Sequence, residues 1–348
     1  MGSLRILIVI AAVGLIALVL WLIIRKAMRG TRVQTVTTDG LSEESARATR
    51  VAFQAESRVC AIALAAACGG FFAMWTLGSE WSQSYGLPYA LAAGVAVLVG
   101  LLVFSLHRRP SWPANEHGST IAELSPRGPT RFGRKWIFVL PAASAAILVV
   151  GLLLAGVYSA TDEFGLHRVY QYRSLSGWGI ENGQVVDVQY NLSSAGPFPG
   201  WYYGVPLMIC TVLIAAAAYW ALRRSAQAAR PATPSLFTVD SALRALQTKL
   251  IMSFSSAALG IQIGGLGLVT GNALRIAHVD LIPTVDLDAV AERIPVEPGY
   301  TLALIMIVSS LVIVTAAMVL AINSVSVVVA LWTASRTRGQ QVQSELVR

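Results

Sequence analysis

Residues 136–158 read WIFVLPAASAAILVVGLLLAGVY, a run without Asp, Glu, Lys, Arg or His. A helix in water must show a polar face at nearly every turn, so a run of this length predicts a helix surrounded by lipid or by other apolar helices. Runs of the same kind occupy 6–24, 59–77, 88–106, 201–222, 250–274 and 301–335. At about 1.5 Å rise per residue, even the shortest of them covers about 28 Å, close to the roughly 30 Å hydrocarbon thickness of a bilayer. Outer-membrane strands are shorter and alternate apolar with polar residues, which these runs do not.

Composition agrees. Of 348 residues 55% are hydrophobic and only 13% charged, which excludes disordered, collagenous and disulfide-stapled classes. The chain reads as an all-α integral membrane protein with seven transmembrane helices, one anchor followed by three helical hairpins. The first run is followed by Arg25, Lys26, Arg29 and Arg32 with no small-residue cleavage pattern before them, and is expected to be a retained anchor.

Charge sets the expected orientation. Segments 25–58, 107–135, 223–249 and 336–348 carry 21 of the 26 Lys and Arg, and the opposite side carries Arg5, Arg168, Arg173, Arg275 and Arg293. Basic connectors stay on the cytosolic side, which puts the amino terminus outside and the carboxyl terminus in the cytoplasm. The net charge of +8 is then a sidedness signal, and a nucleic-acid partner loses its support. Among the basic residues only Lys26, Lys135 and Lys249 are lysines. Together with alanine-rich spans, that usage points to a bacterial source and to its cytoplasmic membrane.

The connectors differ in character. Segment 107–135, with Pro110, Pro113, Pro126 and Pro129, reads as a cytoplasmic linker. Segments 42–57 and 238–249 mix apolar residues with Arg and Gln, and fit either short helices on the inner headgroups or an early start of the following span. In the extracytoplasmic insertion 159–200, Val186, Val188, Tyr190 and Leu192 alternate with Asp187, Gln189 and Asn191, the period of a half-buried strand. Asn182-Gly183 supplies a two-residue turn, so a small β-hairpin cap is expected. Segment 275–300 is expected to hold a short helix from Thr284 through Ile294, and its acidic residues to form a solvated face.

The most informative pattern lies in the run 250–274. Ser256, Gly260, Gly264, Gly267 and Gly271 follow one another at spacings of four, four, three and four, which lines them along one helical face almost devoid of side chains. In lipid, where apolar burial does not drive association, such a groove lets another helix approach closely. Its occupant is expected to be another span of this chain, with a partner subunit, a homo-oligomer contact through the Gly260 face, or a broken helix along a substrate path as the other readings. Gln262, Asn272, Ser309 and Asn323 either line a polar path beside it or hydrogen-bond between helices.

No ionisable residue lies within the seven runs, which argues against proton relays, intramembrane proteolysis and ion-coupled carriage. Motifs for nucleotide or metal binding are absent, and the four histidines are scattered, so no cofactor and no metal is expected. The expected function is that of a membrane protein without catalytic activity, a transport-associated subunit or membrane helper of a partner complex embedded in the lipid bilayer. The alternatives are a sensor or regulator reading an extracytoplasmic cue through 159–200, and, least favoured, a lipid-modifying enzyme.

Overall fold

The computed structural model describes residues 43–107, 128–182, 184–231, 233–282 and 292–345, together with Ala11, Gly14 and Leu18. The chain is mostly helical. Among the described residues six long α-helices follow one another: α1 (Glu43–Glu80), α2 (Leu87–Leu106), α3 (Lys135–Val157), α4 (Trp201–Gln227), α5 (Phe237–Ala277) and α6 (Gly299–Glu345). All six contain stretches long and apolar enough to cross a membrane, which makes this a multi-pass membrane protein. Of the expected anchor 6–24 only Ala11, Gly14 and Leu18 are described, each in helical conformation, and most of the linker 107–135 lies outside the described residues.

Two compact units can be distinguished. One comprises Met1–Leu22, Ala146–Ile209 and Gly260–Ala316; the other comprises Ile23–Ala145, Cys210–Leu259 and Ala317–Arg348.

The first unit holds the sheets. Strands β1 (Ala160–Thr161), β2 (His167–Glu181) and β3 (Gln184–Ala195) form an antiparallel sheet in the order β1-β2-β3. Pairing of Glu181 with Gln184 leaves a two-residue connection in which Asn182 has φ +53°, the left-handed conformation that an Asn-Gly turn supplies. The ladder runs from Tyr170↔Ala195 to Leu175↔Tyr190 and then shifts at Gly177 and Gly179. One side of the sheet supports a small core of Ala155, Ala195, Phe198 and Ala273, with Tyr170 and Tyr172 against it. The expected burial of the apolar side of β3 is met only in part: Val186 is half-buried, but Val188, Tyr190 and Leu192 are all exposed.

A second correction concerns 275–300. Residues 283–291 lie outside the described set, but Ile294, expected in a helix, belongs to strand β5 (Glu292–Pro295), paired with β4 (Val279–Ile282). Backbone pairing of Asp280 with Ile294 and of Leu281 with Arg293 there outweighs the weak helical periodicity.

The second unit is built on a helical hairpin. Tyr85 and Gly86 adopt positive φ between α1 and α2, and Pro88 starts α2 where its missing N–H costs nothing. The two helices then meet through small residues. A Cβ on Gly100 would stand 3.1 Å from the Ala63 carbonyl oxygen and from the Ala67 methyl, and one on Gly70 would stand 3.5 Å from the Ala96 Cα.

The helices also extend beyond their apolar runs. α1 has 38 residues and α5 has 41, so the described part of segment 42–57 belongs to α1 and segment 238–249 to α5, with no separate surface helices. Their added turns bury polar side chains: Thr49, Glu56 and Ser57 on α1, and Asp240, Arg244, Gln247 and Thr248 on α5.

Candidate functional site

Glycine spacing on α5 converts directly into close helix contact within the first unit. A Cβ built on Gly264 would lie 2.8 Å from the Ser310 carbonyl oxygen and 3.2 Å from the Val314 amide, and would overlap the Val314 side chain. On Gly267 it would overlap the Ser310 hydroxyl. At Gly271 it would meet Ile307 Cγ1 at 2.8 Å and the Ala303 carbonyl at 3.1 Å. The facing helix is therefore α6 of the same chain, and its backbone, which cannot rotate aside, forms the wall. Gly265, off this stripe, has nothing within 4 Å. Gly260 is buried, and so is Ser256, whose Oγ donates to the Met252 carbonyl at 2.8 Å.

The four polar residues expected beside the seam have different surroundings. Gln262 is 3% exposed, and neither end of its amide has a hydrogen-bond partner. It lies two residues from Gly264, about 200° round the helix, and so faces away from the seam. Ser309 Oγ is likewise buried and unbonded. Asn272 is exposed and accepts a hydrogen bond from Arg275 Nη2 at 3.2 Å. Asn323, in the second unit, is half-buried, and its backbone carbonyl accepts from Ser326 Oγ at 2.8 Å. Neighbouring Thr270, Thr315 and Ser324 turn their hydroxyls back onto carbonyls of their own helices, the usual way a hydroxyl is satisfied in an apolar helix.

The second unit contains a polar knot that the division into spans missed. Arg244, on α5, is 2% exposed. Its Nε donates to Asp240 Oδ2 at 2.8 Å, Nη1 to the carbonyls of Ser225 and Ala226 at 2.9 and 3.0 Å, and Nη2 to those of Ala228 and Ala229 at 2.9 and 3.2 Å. A guanidinium has five N–H groups, and all are used. The acceptors lie at and just beyond the end of α4, where carbonyls lack helical partners and the helix dipole is negative, so a buried cation there is well placed. Arg230 adds a second cation 3.7 Å from Asp240, Phe132 faces the Arg244 guanidinium at 5.5 Å, and Ser225 Oγ donates to Gln247 Oε1 at 2.5 Å. With every donor engaged, Arg244 is a clamp on the α4–α5 connection and has nothing left for a ligand.

The sequence carried a signal for this knot. Asp240, Arg244 and Gln247 recur at four and three residues, one face of a helix, but ending the span at Lys249 hid the continuity. The same unit contains an apolar slot of about 60 Å³ lined chiefly by Cys60, Leu64, Leu101, Phe104, Ile251 and Phe254. Its walls are almost wholly apolar and would offer a water molecule few partners.

A third constellation closes the connection from α3 to the sheet. Asp162 Oδ1 accepts from the backbone amides of Phe164 and Leu166, both at 2.9 Å, and its Oδ2 pairs with Arg168, which also hydrogen-bonds Tyr203 on α4. Burial raises the carboxyl pKa, but the Leu166 amide, the Arg168 guanidinium and the Phe164 amide together outweigh it and hold Asp162 below the usual carboxylate value. These groups satisfy one another and expose no nucleophile and base pair. Of the acidic residues in 275–300, Asp286 and Asp288 lie outside the described residues. Among the described residues no three His, Cys, Asp or Glu converge as metal ligands.

Comparison of the chain with protein-family models, with curated proteins and with solved structures finds no match.

Proposed function

We propose that this chain is a seven-span protein of a bacterial cytoplasmic membrane, amino terminus outside and carboxyl terminus inside, that acts without catalysis as a transport-associated subunit or membrane helper of a partner complex. The sheet of β1, β2 and β3 is then an extracytoplasmic cap, and the Arg244 knot lies at the inner ends of α4 and α5. The observation that carries this reading is the closed seam on α5. Gly264 and Gly271 meet the α6 backbone and Gly267 meets the Ser310 side chain, which supports a packing role for the stripe over a conducting one. The fully engaged Arg244 points the same way, because a cation with no free donor holds a scaffold together and does not capture substrate.

Affinity purification of the full chain in mild detergent, followed by mass spectrometry, tests the reading. A second membrane or peripheral subunit in stoichiometric amount is expected. Recovery of the chain with no other protein, combined with substrate flux through the purified chain in vesicles, would replace the helper by a self-sufficient carrier. Sidedness is tested separately by an impermeant thiol reagent on Glu181→Cys, which is expected to label from outside the cell only.

A further inference from the structure

The sheet ends on β3, so among the described residues one edge of that strand has no neighbour. Along 188–195 this edge reads VQYNLSSA, with no Asp, Glu, Lys, Arg or His and no proline. Exposed edges are normally guarded by charge, proline or a bulge, because their free N–H and C=O groups are a template for another strand. Here the guard stands outside the stretch: Asp187, with φ +52°, interrupts the strand just before it. Side chains strengthen the case. Val188, Tyr190 and Leu192 recur every second residue, which puts them on one side of the strand, and they are 41%, 58% and 68% exposed.

We propose that β3 is a two-fold interface at which a second copy of this chain pairs antiparallel along 188–192, joining two sheets into one. The sequence is self-complementary in one register. With Tyr190 opposite its own symmetry mate, Val188 faces Leu192 of the second copy and Leu192 faces Val188, so every apolar side chain of the stripe meets an apolar one. On the other side Gln189 meets Asn191, amide against amide, and no like charges are opposed. A register centred on Gln189 would draw Asp187 into the ladder, where its left-handed backbone breaks the pairing. Centring on Asn191 or Leu192 sets apolar side chains against Ser194 or Gly196. A closed, self-complementary contact of this kind is the commonest route to a homodimer. The proposal does not depend on the helper reading above, since it concerns a copy of the same chain.

Cysteine cross-linking of the full chain in native membranes decides it. Residues opposed in an antiparallel pair have Cα atoms about 4.5 or 5.5 Å apart, within disulfide range, whereas two copies of residue 188 would be about 14 Å apart in the proposed register. Y190C alone is therefore expected to form a reducible dimer on mild oxidation. V188C alone and L192C alone are expected not to, and V188C with L192C in one chain is expected to do so. Wild type, with only Cys60, Cys68 and Cys210, is the control for helix cysteines. Y190K, which opposes two cations across the axis at an exposed position, is expected to lose the dimer mass in mild detergent while unfolding at the wild-type temperature. Equal cross-linking by Y190C, V188C and L192C, a single-chain mass for wild type in detergent, or a Y190C adduct with a different protein would each overturn the self-pairing.

Discussion

Replacing Gly264 by leucine puts a side chain where the α6 backbone already stands. The first added atom, Cβ, would lie 2.8 Å from the Ser310 carbonyl oxygen, closer than a carbon and a carbonyl oxygen approach in folded proteins, and would overlap the Val314 side chain. Val314 can change rotamer; the Ser310 carbonyl and the Val314 amide cannot move unless α6 moves. Alanine at this position already forces the helices apart by several tenths of an ångström. Leucine adds three more carbons in the same direction and loosens the seam as far as Gly271. Overpacking by a methyl or two costs about 1–3 kcal/mol, offset by up to about 1 kcal/mol of helix propensity gained over glycine. A net loss of about 1–2 kcal/mol for Gly264→Ala and of about 3 kcal/mol or more for Gly264→Leu follows. Gly265→Leu is the matched control, since nothing lies within 4 Å of its Cβ position. It is expected to be neutral or slightly stabilising. The assay is thermal unfolding in detergent, read by a thiol-reactive dye in a Cys68→Ser background, because Cys68 is exposed whereas Cys60 and Cys210 are buried and become reactive only when packing is lost. Identical unfolding profiles for Gly264→Leu, Gly265→Leu and wild type would refute the argument that the stripe exists for close helix approach.

Arg244→Ala removes all five hydrogen bonds and leaves Asp240 with Arg230 at 3.7 Å, so a loss of about 3–5 kcal/mol is expected in the same assay. Arg244→Lys should recover only a minor part, because one ammonium cannot reach four carbonyls and a carboxylate together. Asp162 has a lowered pKa, so its contribution is complete above the unfolded value near 3.9 and is lost as pH falls through the lower folded value. Thermal stability should therefore hold from pH 7 to about 4.5 and drop below about 4, and Asp162→Asn should start lower and flatten that drop. Unchanged acid profiles in the two proteins would remove the assignment. Gly200→Ala drives a Cβ into the His167 carbonyl and the Ser159 side chain, and faster proteolysis within 159–200 is expected. Cleavage at the wild-type rate would show that this corner tolerates a side chain.

Glycine positions show how far a sequence can be read here. The spacing of Gly260, Gly264, Gly267 and Gly271 reveals a bare helical face, because 3.6 residues per turn is a property of one helix. It does not reveal which helix occupies that face, and α6 emerges only from the contacts of Ser310, Val314 and Ile307. The Asn182-Gly183 pair and the alternation after it are equally local signals, and β2 and β3 pair antiparallel from Glu181↔Gln184 onward. The same alternation suggested that Val188, Tyr190 and Leu192 are buried. They are exposed, because period two says only that these side chains share a side and not what lies opposite them.

The N-terminal extensions of α1 and α5 illustrate the converse. A hydropathy reading ends a span at its first charge, since a lone cation in lipid is costly. Arg244 is not alone, but its four carbonyl partners come from residues 15 to 19 positions away, across the turn after α4. Only folding brings them within reach. What the sequence by itself determined is what each segment prefers as solvent: six described helices are long and apolar enough to cross a membrane, and that preference is a sum over single residues. What only the tertiary structure decided is pairing: α6 against the glycine face, the end of α4 around Arg244, and an open edge on β3. Those are energies between residues distant in the chain, and no property of one segment contains them.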